Sequence, residues 1–506
     1  MREHPQAVTF SAITLNHDSA VPLYQQLYDE LRQGVLAGRL SPGVKLPSTR
    51  TLAADMRVSR NTVMIAFEQL LAEGYLEGKV GSGTYVASRL PDDLLRVCPS
   101  PPPPRGQSGA RPMLSQRGAA VAKAYYRPPA PTFPALPRPF RSGLPAVAEL
   151  PLSIWTRLLM RRWKTASPEL LIYGQPAGLP PLREAVAAYV KAARGVQCDA
   201  GQVIIVSGSQ QGVDLAARVL LDPGDEAWVE NPGYHGTRGA LIGAGAKLVP
   251  VPVDAEGLDV AAGARRAPNA RLAHVTPSFQ YPLGVTMSLP RRLALLDWAG
   301  QAGSWIVEDD YASQYRYTGR PFASLQALDS RRRVIYIGTF SKVLFPSLRL
   351  GYLVVPPDLV DAFIATRAVS DWHSPLVEQA ALTDFITEGH FERHIRRMRG
   401  LYAERQATLV EAARRDLDGL LAVPPADSGM QLVGWLPDRW NDAAASAHLR
   451  ENGIIAAPLS TFCLEPYPRP GLLLGYASLP RRTIREGVRK MAAALTRFKR
   501  IAARLQ

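Results

Sequence analysis

The sequence predicts an α/β protein of two folded units: a small helical head that ends in a hairpin, and a much larger unit built on a mainly parallel sheet covered by helices. Three observations carry this prediction. The chain has 506 residues, more than a single core of about 250 to 300 residues accommodates. Its composition changes sharply after Ser88, where proline and arginine crowd a stretch running to about Pro145. Beyond that stretch, apolar strand-like runs alternate with longer helical segments, the order that lays parallel strands under helical crossovers. The expected boundaries are 1–87 for the head, 88–145 for a linker and 146–506 for the large unit.

Composition narrows the partners. A formal net charge of +15 suits a polyanion, although taken alone it fits nucleic acid, an anionic membrane or simple solubility. Cys98, Cys198 and Cys463 lie too far apart for a CxxC metal site or a disulfide framework, so no metal is expected and a reducing compartment is. The N-terminus lacks the apolar core of a signal peptide, and no apolar run reaches the roughly 18 residues of a membrane span. A soluble, cytoplasmic protein with no membrane partner is expected.

In the head, Leu23, Leu27, Leu31 and Leu36 recur at helical spacing, and Gly38 stands where that helix should stop. Ser48 is placed to cap a second helix and Ser59 a third, with a tight turn near Arg57 and Val58 between them. Val63, Ala66, Phe67 and Leu70 should face inward from the third helix. The run YLEGKVGSGTYVAS alternates and turns on glycines, as a hairpin does. Together these make a winged helix-turn-helix. In the linker, PPPP at 101–104 should be extended polyproline II.

Residues 22–86 resemble the GntR-type bacterial repressors, through PLYQQL, LPSTRTLA, VSRNTV and GSGTYV. The resemblance implies binding to double-stranded operator DNA. Arg50, Ser59, Arg60 and Thr62 would face the duplex, with Arg60 at the start of a recognition helix in the major groove, where arginine bonds guanine edges. Gly81 would let the wing approach the DNA backbone. The head's own charges nearly balance, which makes the linker arginines candidate auxiliary contacts.

In the large unit, the runs VIIVSG, EAWVENP, RLAHVTP, SWIVEDD and VIYIGT all end in polar or turn-forming residues. Chemistry in parallel sheets gathers at these carboxyl ends, and here they supply the parts of a pyridoxal phosphate site. Ser209 and Gln210 open a helix whose free N–H groups suit a phosphate. Tyr234 offers a ring to lie against the pyridine, Asp309 a carboxylate for its nitrogen and Tyr311 a phenol for its hydroxyl. Lys342 offers an amine for a Schiff base, and a lysine that is desolvated or beside other cations is readily deprotonated. Arg349, with Thr339 or Ser341, would complete phosphate binding.

With YGQPAGLPPLR (173–183) and SKVLFPSLRLGY, this order of parts resembles the fold-type I aminotransferases over nearly the whole unit. The resemblance implies a homodimer with shared sites, in which Tyr173 reaches the phosphate bound by the neighbouring subunit. Head, linker and aminotransferase-like unit in this order resemble the MocR subfamily of GntR regulators. That implies that Lys342 holds a cofactor for sensing rather than turnover, with catalysis absent or slight.

Two positions depart from the pattern. Leu473, in LLLGYA (472–477), stands where aminotransferases usually place the arginine that binds the substrate carboxylate, with Arg469 in the preceding loop. Gly236 follows Tyr234 and His235 where the GABA-responsive member has an arginine, and Arg238 is the nearest cation. The expectation is a chain that binds pyridoxal phosphate but holds an ordinary amino acid poorly, so that the cofactor itself is the signal, as in members that regulate vitamin B6 synthesis. Three alternatives stay open: a working aminotransferase with an autoregulatory head, a regulator sensing a second amine or sulfonate through the cofactor, and a regulator whose pocket is a relic. His274, Trp298, Trp305 and Trp372 are expected in the core, and 390–400 as a basic helix face over the domain.

Overall fold

A computed structural model describes residues 15–79, 82–90, 114–124, 139–319 and 322–502. The chain divides into two compact units, 1–113 and 114–506. Among the described residues no helix is long and apolar enough to cross a membrane, and no group of three or more His, Cys, Asp or Glu side chains is placed to hold a metal.

The head consists of α1 (Leu23–Leu36), α2 (Thr49–Met56), α3 (Arg60–Ala72) and the antiparallel pair β1 (Leu76–Lys79) and β2 (Gly83–Val86). Ser48 accepts from the Thr51 N–H at 3.2 Å and Ser59 from the Thr62 N–H at 3.1 Å, so both expected caps are made. Between them Arg57 takes a left-handed conformation, φ 54°, which turns the chain sharply. Val63, Ala66, Phe67 and Leu70 pack against Leu27, Leu31 and Val35 of α1; burying each large apolar side chain stabilises by about 1.5 to 3 kcal/mol. Leu23 and Leu36 are only partly buried; Tyr28 and Val35 are buried instead.

The large unit is built on an eight-stranded sheet of β3 (Val203–Val206), β4 (Glu226–Asn231), β5 (Lys247–Asp254), β6 (Gly257–Leu258), β7 (Leu272–Val275), β8 (Trp305–Asp310), β9 (Val334–Thr339) and β10 (Gly351–Val354). Their order is β3-β10-β9-β8-β7-β4-β5-β6. The run β5, β4, β7, β8, β9 is parallel throughout, while β10 lies antiparallel between β9 and β3. Period-two alternation explains why these strands are apolar on both faces. Val203, Ile205, Tyr336, Tyr352 and Val354 enter one core, and Ile204, Val206, Ile335, Ile337 and Leu353 the other. A smaller sheet, β11 (Gln431–Trp435), β12 (Ala457–Pro458) and β13 (Gly471–Gly475), packs with the helices His390–Asp416 and Arg481–Ala502 around a third core. The helix His390–Asp416 covers the domain as expected, burying Phe391, His394, Ile395 and Met398.

The expected linker is shortened at both ends. Leu90 is buried in the head core. Beyond the described gap, the helix Gln116–Ala124 packs against the helix His235–Ala244, and Phe140 is fully buried, its carbonyl accepting from the Gly475 N–H at 2.8 Å. An apolar ring and a strand-end N–H draw 139–145 into the large unit despite its prolines. The PPPP run and Gly81 lie outside the described residues.

Candidate functional site

Because β4, β7, β8 and β9 run parallel, their carboxyl ends meet at one edge of the sheet. There Ser209, Tyr234, Asp309, Tyr311 and Lys342 line one cleft together with Gly143. Five residues at the ends of β3, β4, β8 and β9 thus converge as the sequence leads one to expect.

Lys342 is partly buried, and its Nζ donates to the Gly143 carbonyl at 2.8 Å. Burial pulls its pKa down, the Arg349 charge pulls the same way, and Asp309 opposes both. A larger share of neutral amine follows. Asp309, at the end of β8, is pushed up to about 7, first by burial and then by the neighbouring carboxyls of Asp310 and Glu230, with Lys342 opposing. Its Oδ2 lies 4.0 Å from His274 Nε2, which is 3.1 Å from the Thr237 hydroxyl. Burial lowers His274 to about 4, so the ring is neutral at physiological pH. Burial likewise raises Tyr311 well above the ordinary phenol range.

Arg349 sits at φ 51°, a left-handed conformation that costs a non-glycine residue about 1 kcal/mol or more. Its Nη2 donates to the Ser207 carbonyl. Gly208 faces it at φ 86°, and a Cβ there would come within 3.1 Å of the guanidinium. The helix Ser209–Leu220 starts at this point, so its free N–H groups and the guanidinium converge on one spot suited to a phosphate. Thr339 is buried and its Oγ1 accepts from the Ser341 N–H at 3.2 Å.

Asp309 Oδ1, the Tyr311 hydroxyl and the Ser341 hydroxyl are buried without a hydrogen-bond partner among the described residues. Buried polar atoms are bonded in about nine cases of ten or more, so three orphans beside one partly buried lysine call for an occupant. Pyridoxal phosphate fits: it brings a ring nitrogen, a ring oxygen and a phosphate.

Other expected residues stand elsewhere. Gln210 donates to the Gly236 carbonyl at 2.8 Å and lines an adjoining groove with Tyr234. Tyr173 is 86% exposed, its ring edge-on to Trp372 at 6.2 Å, outside this cleft. Trp372, expected in the core, is 46% exposed, and its Nε1 donates to the Gly174 carbonyl at 2.9 Å. The helix ends there, and a residue at φ 63° turns its side chain outward. Trp298 is buried, stacked on Trp228 at 3.7 Å, and Trp305 is partly covered by Arg333. His274 is a buried core histidine as expected, yet it is also the nearest side chain base to Asp309.

The departures are real in three dimensions. Leu473 is fully buried in β13, packed with Val433 and Phe462. Arg469 lies over the Trp435 ring at 4.8 Å in a different groove and does not replace the missing cation. Arg238 is buried and donates to the Phe462 and Cys463 carbonyls. At Gly236 a Cβ would collide with Gln210 Oε1 and the Tyr234 ring.

In the head, Arg50 and Arg60 are exposed, and Arg60 Nε donates to Thr49 Oγ1 at 3.4 Å. Ser59 and Thr62 share a 2.8 Å hydroxyl contact, so both side chains are engaged at the helix cap.

The gntR family of bacterial regulatory proteins matches residues 23–86, and aminotransferase class I and II matches residues 146–491. The probable rhizopine catabolism regulatory protein MocR of Rhizobium meliloti is 44% identical, over 95% of this chain and 95% of that protein. The pyridoxine biosynthesis transcriptional regulator PdxR of Corynebacterium glutamicum is 30% identical, over 94% of this chain and 96% of that one. Among solved structures, LysN, the α-aminoadipate aminotransferase of Thermus thermophilus complexed with a phosphopyridoxyl-leucine, is 29% identical with a TM-score of 0.67, covering 72% of this chain and 92% of that one. A DNA-binding head and an aminotransferase fold matched end to end by full-length regulators leave one conclusion: the chain belongs to the MocR-type regulators of the GntR family.

Proposed function

We propose that the chain is a transcriptional regulator that binds operator DNA through its winged head and holds pyridoxal phosphate at Lys342 as a sensor. The three unpartnered buried atoms around a desolvated lysine carry this reading. Asp309 would hold the ring nitrogen, Tyr311 the ring oxygen and Tyr234 the ring face. Ser209, Thr339, Ser341 and Arg349 would hold the phosphate, with Gln210 fixing the loop that carries Tyr234. Bound there, pyridoxal phosphate supplies an electrophilic carbonyl that captures amines.

The protein is proposed to act as a cytoplasmic homodimer, and exposed apolar side chains support the dimer. Leu152, Trp163, Leu171, Ile172, Tyr173 and Val369 are each more than half exposed, side chains that a subunit interface would cover. In such a dimer, Tyr173 of the partner subunit would complete the phosphate site. Arg50 and Arg60 would contact DNA, with Ser59 and Thr62 fixing the start of the recognition helix and Gly81 at the wing tip.

Turnover should be slight, because Leu473 leaves no arginine for a substrate carboxylate. Control of vitamin B6 synthesis is the candidate role, supported by the likeness to PdxR. A second reading, in which another ligand is sensed beside the cofactor, is favoured by the open groove that continues from the cleft past Tyr234 and Tyr281.

The test compares binding to the DNA upstream of the gene by cofactor-free and cofactor-loaded protein at one salt concentration, since phosphate contacts make affinity salt-dependent. A change on loading that is absent in Lys342→Ala, together with loss of the bound-cofactor absorbance band, is expected. Turnover of amino acids near the enzyme median of about 10 s⁻¹ would overturn the sensor reading.

A further inference from the structure

Asp309 points into the lysine cleft, so Asp310, the next residue of β8, points to the opposite face of the sheet. There it pairs with Arg194 at 2.8 Å and accepts from the Tyr336 hydroxyl at 2.6 Å. Arg194 is one of three arginines, with Arg292 and Arg316, that line a small cavity together with Ser278, Ser313 and Ser428. The Tyr317 N–H donates to the Asp427 carbonyl at 2.7 Å and the Gly429 N–H to the Tyr315 carbonyl at 2.9 Å. Arg316 and Ser428 therefore stand directly opposite each other in an antiparallel pair, with their side chains on one side of it.

The cavity wall is built of donors. A guanidinium carries five N–H groups and no acceptor. Arg292 is fully buried and donates to the carbonyls of Pro277, Met287 and Ala323. Arg194 donates to Asp310, to the Ser278 hydroxyl and to the Phe322 carbonyl. Each guanidinium thus keeps spare N–H groups. Arg316 Nε and the hydroxyls of Ser313 and Ser428 are buried without a hydrogen-bond partner among the described residues, and Ser428 is only 3% exposed.

Among the described residues no carboxylate lines the cavity. Asp310 is engaged by Arg194, Glu308 accepts from the Leu325 and Gln326 N–H groups at 3.0 Å, and Asp427, 67% exposed, stands 4.0 Å from Arg316. Only Arg194 of the three cations has a close, buried counter-charge. Buried charge is costly unless an opposite charge meets it. The centre of a water-sized sphere has about 10 Å³ in which to move, room for one such body. That size admits a halide and shuts out sulfate, phosphate and carboxylates. A water molecule fits too, but it would turn its hydrogens toward backbone carbonyls that already accept from the guanidiniums.

We propose that this cavity is a halide site, in which chloride is held by the three guanidiniums and by the Ser313 and Ser428 hydroxyls. Ser313 lies two residues after Tyr311 and Ser428 two before Met430, and both of those line the lysine cleft. The ion would tie the β8 end to the segment entering β11, directly behind the cleft. The inference is independent of the cofactor reading.

The test follows thermal unfolding of the full-length chain in sodium chloride, bromide and gluconate at equal ionic strength, and locates bromide in crystals by its anomalous scattering. Relative to gluconate, either halide should raise the melting temperature saturably, by about 2 to 4 °C when it stands about 10- to 100-fold above its dissociation constant. Bromide should occupy the cavity. Arg316→Gln and Ser428→Ala should each lower halide affinity about 10-fold, the yield of one charge-assisted hydrogen bond, while Arg316→Lys should keep part of it. A melting temperature set by ionic strength alone, bromide found only on the surface with a water in the cavity, or a halide response unchanged in both Arg316→Gln and Ser428→Ala overturns the assignment. Because the bromide position is read in wild type, the result stands even if a variant does not fold.

Discussion

Replacing Asp309 with asparagine should stabilise the cofactor-free protein at alkaline pH while weakening its hold on the cofactor. In the folded chain the Asp309 carboxyl is raised from 3.8 to about 7, with burial the largest cause. Between those values the folded carboxyl keeps a proton that the unfolded one has lost. The folded state therefore binds more protons, and stability falls as pH rises through that window. At pH 8, above both values, the rise from 3.8 to about 7 corresponds to a penalty of about 4 kcal/mol, and at pH 5 to less than about 2. Asparagine carries no such penalty. The difference in unfolding free energy between Asp309→Asn and wild type, measured by denaturant titration of cofactor-free protein, should therefore grow by about 2 kcal/mol or more from pH 5 to pH 8. Glu230 and Glu308 are also raised to about 7, mainly by burial. Glu308 slopes both proteins alike, whereas Glu230 and Asp309 repel each other, so the difference reads Asp309 together with the relief its replacement gives Glu230. In the same variant the proposed pyridoxal phosphate would lose the ionic partner of its ring nitrogen, and its affinity should drop about 10- to 100-fold. A pH-independent difference between the two proteins, or unchanged cofactor affinity, would refute the argument that this carboxylate is buried to meet a bound cation.

Three variants test other sites. Ser59→Ala removes the cap on α3 and should cost the head about 1 kcal/mol, read as a lower melting temperature; Arg60→Ala should leave that temperature unchanged but weaken DNA binding by about 1 to 3 kcal/mol. Leu473→Arg should not restore an amino acid site: its side chain would enter the fully buried cluster with Val433 and Phe462, where an unpaired guanidinium costs several kcal/mol, and soluble yield and melting temperature should fall without a gain in turnover.

Much of the architecture was legible in the chain itself because it depends on neighbours a few residues apart. Ser48 and Ser59 cap helices through bonds to an N–H three residues on, and the spacing of Val63, Ala66, Phe67 and Leu70 turns one helix face inward. The strand runs ending in Ser209, Tyr234, Asp309 and Lys342 announce a cleft because parallel strands expose their carboxyl ends together. The antiparallel β10 was less visible: its sequence, GYLV, is as apolar as its neighbours, and direction is set by the length and path of the connection.

What only the tertiary structure decided is whom each charge meets. Gly143 reaches Lys342 from 199 positions away, and no local pattern could mark a glycine in a proline-rich stretch as part of the site. Arg238 resembles a free cation in sequence, yet it is spent on backbone carbonyls more than 220 residues distant. Trp372 has a core residue's composition but an exposed position, and Arg141 looks like one of many linker arginines until Phe140 is seen buried beneath β13. The physical reason is the same throughout: periodicity and capping are local free energies, whereas desolvation and charge pairing depend on which distant segment closes over a group, a choice made only when the cores pack.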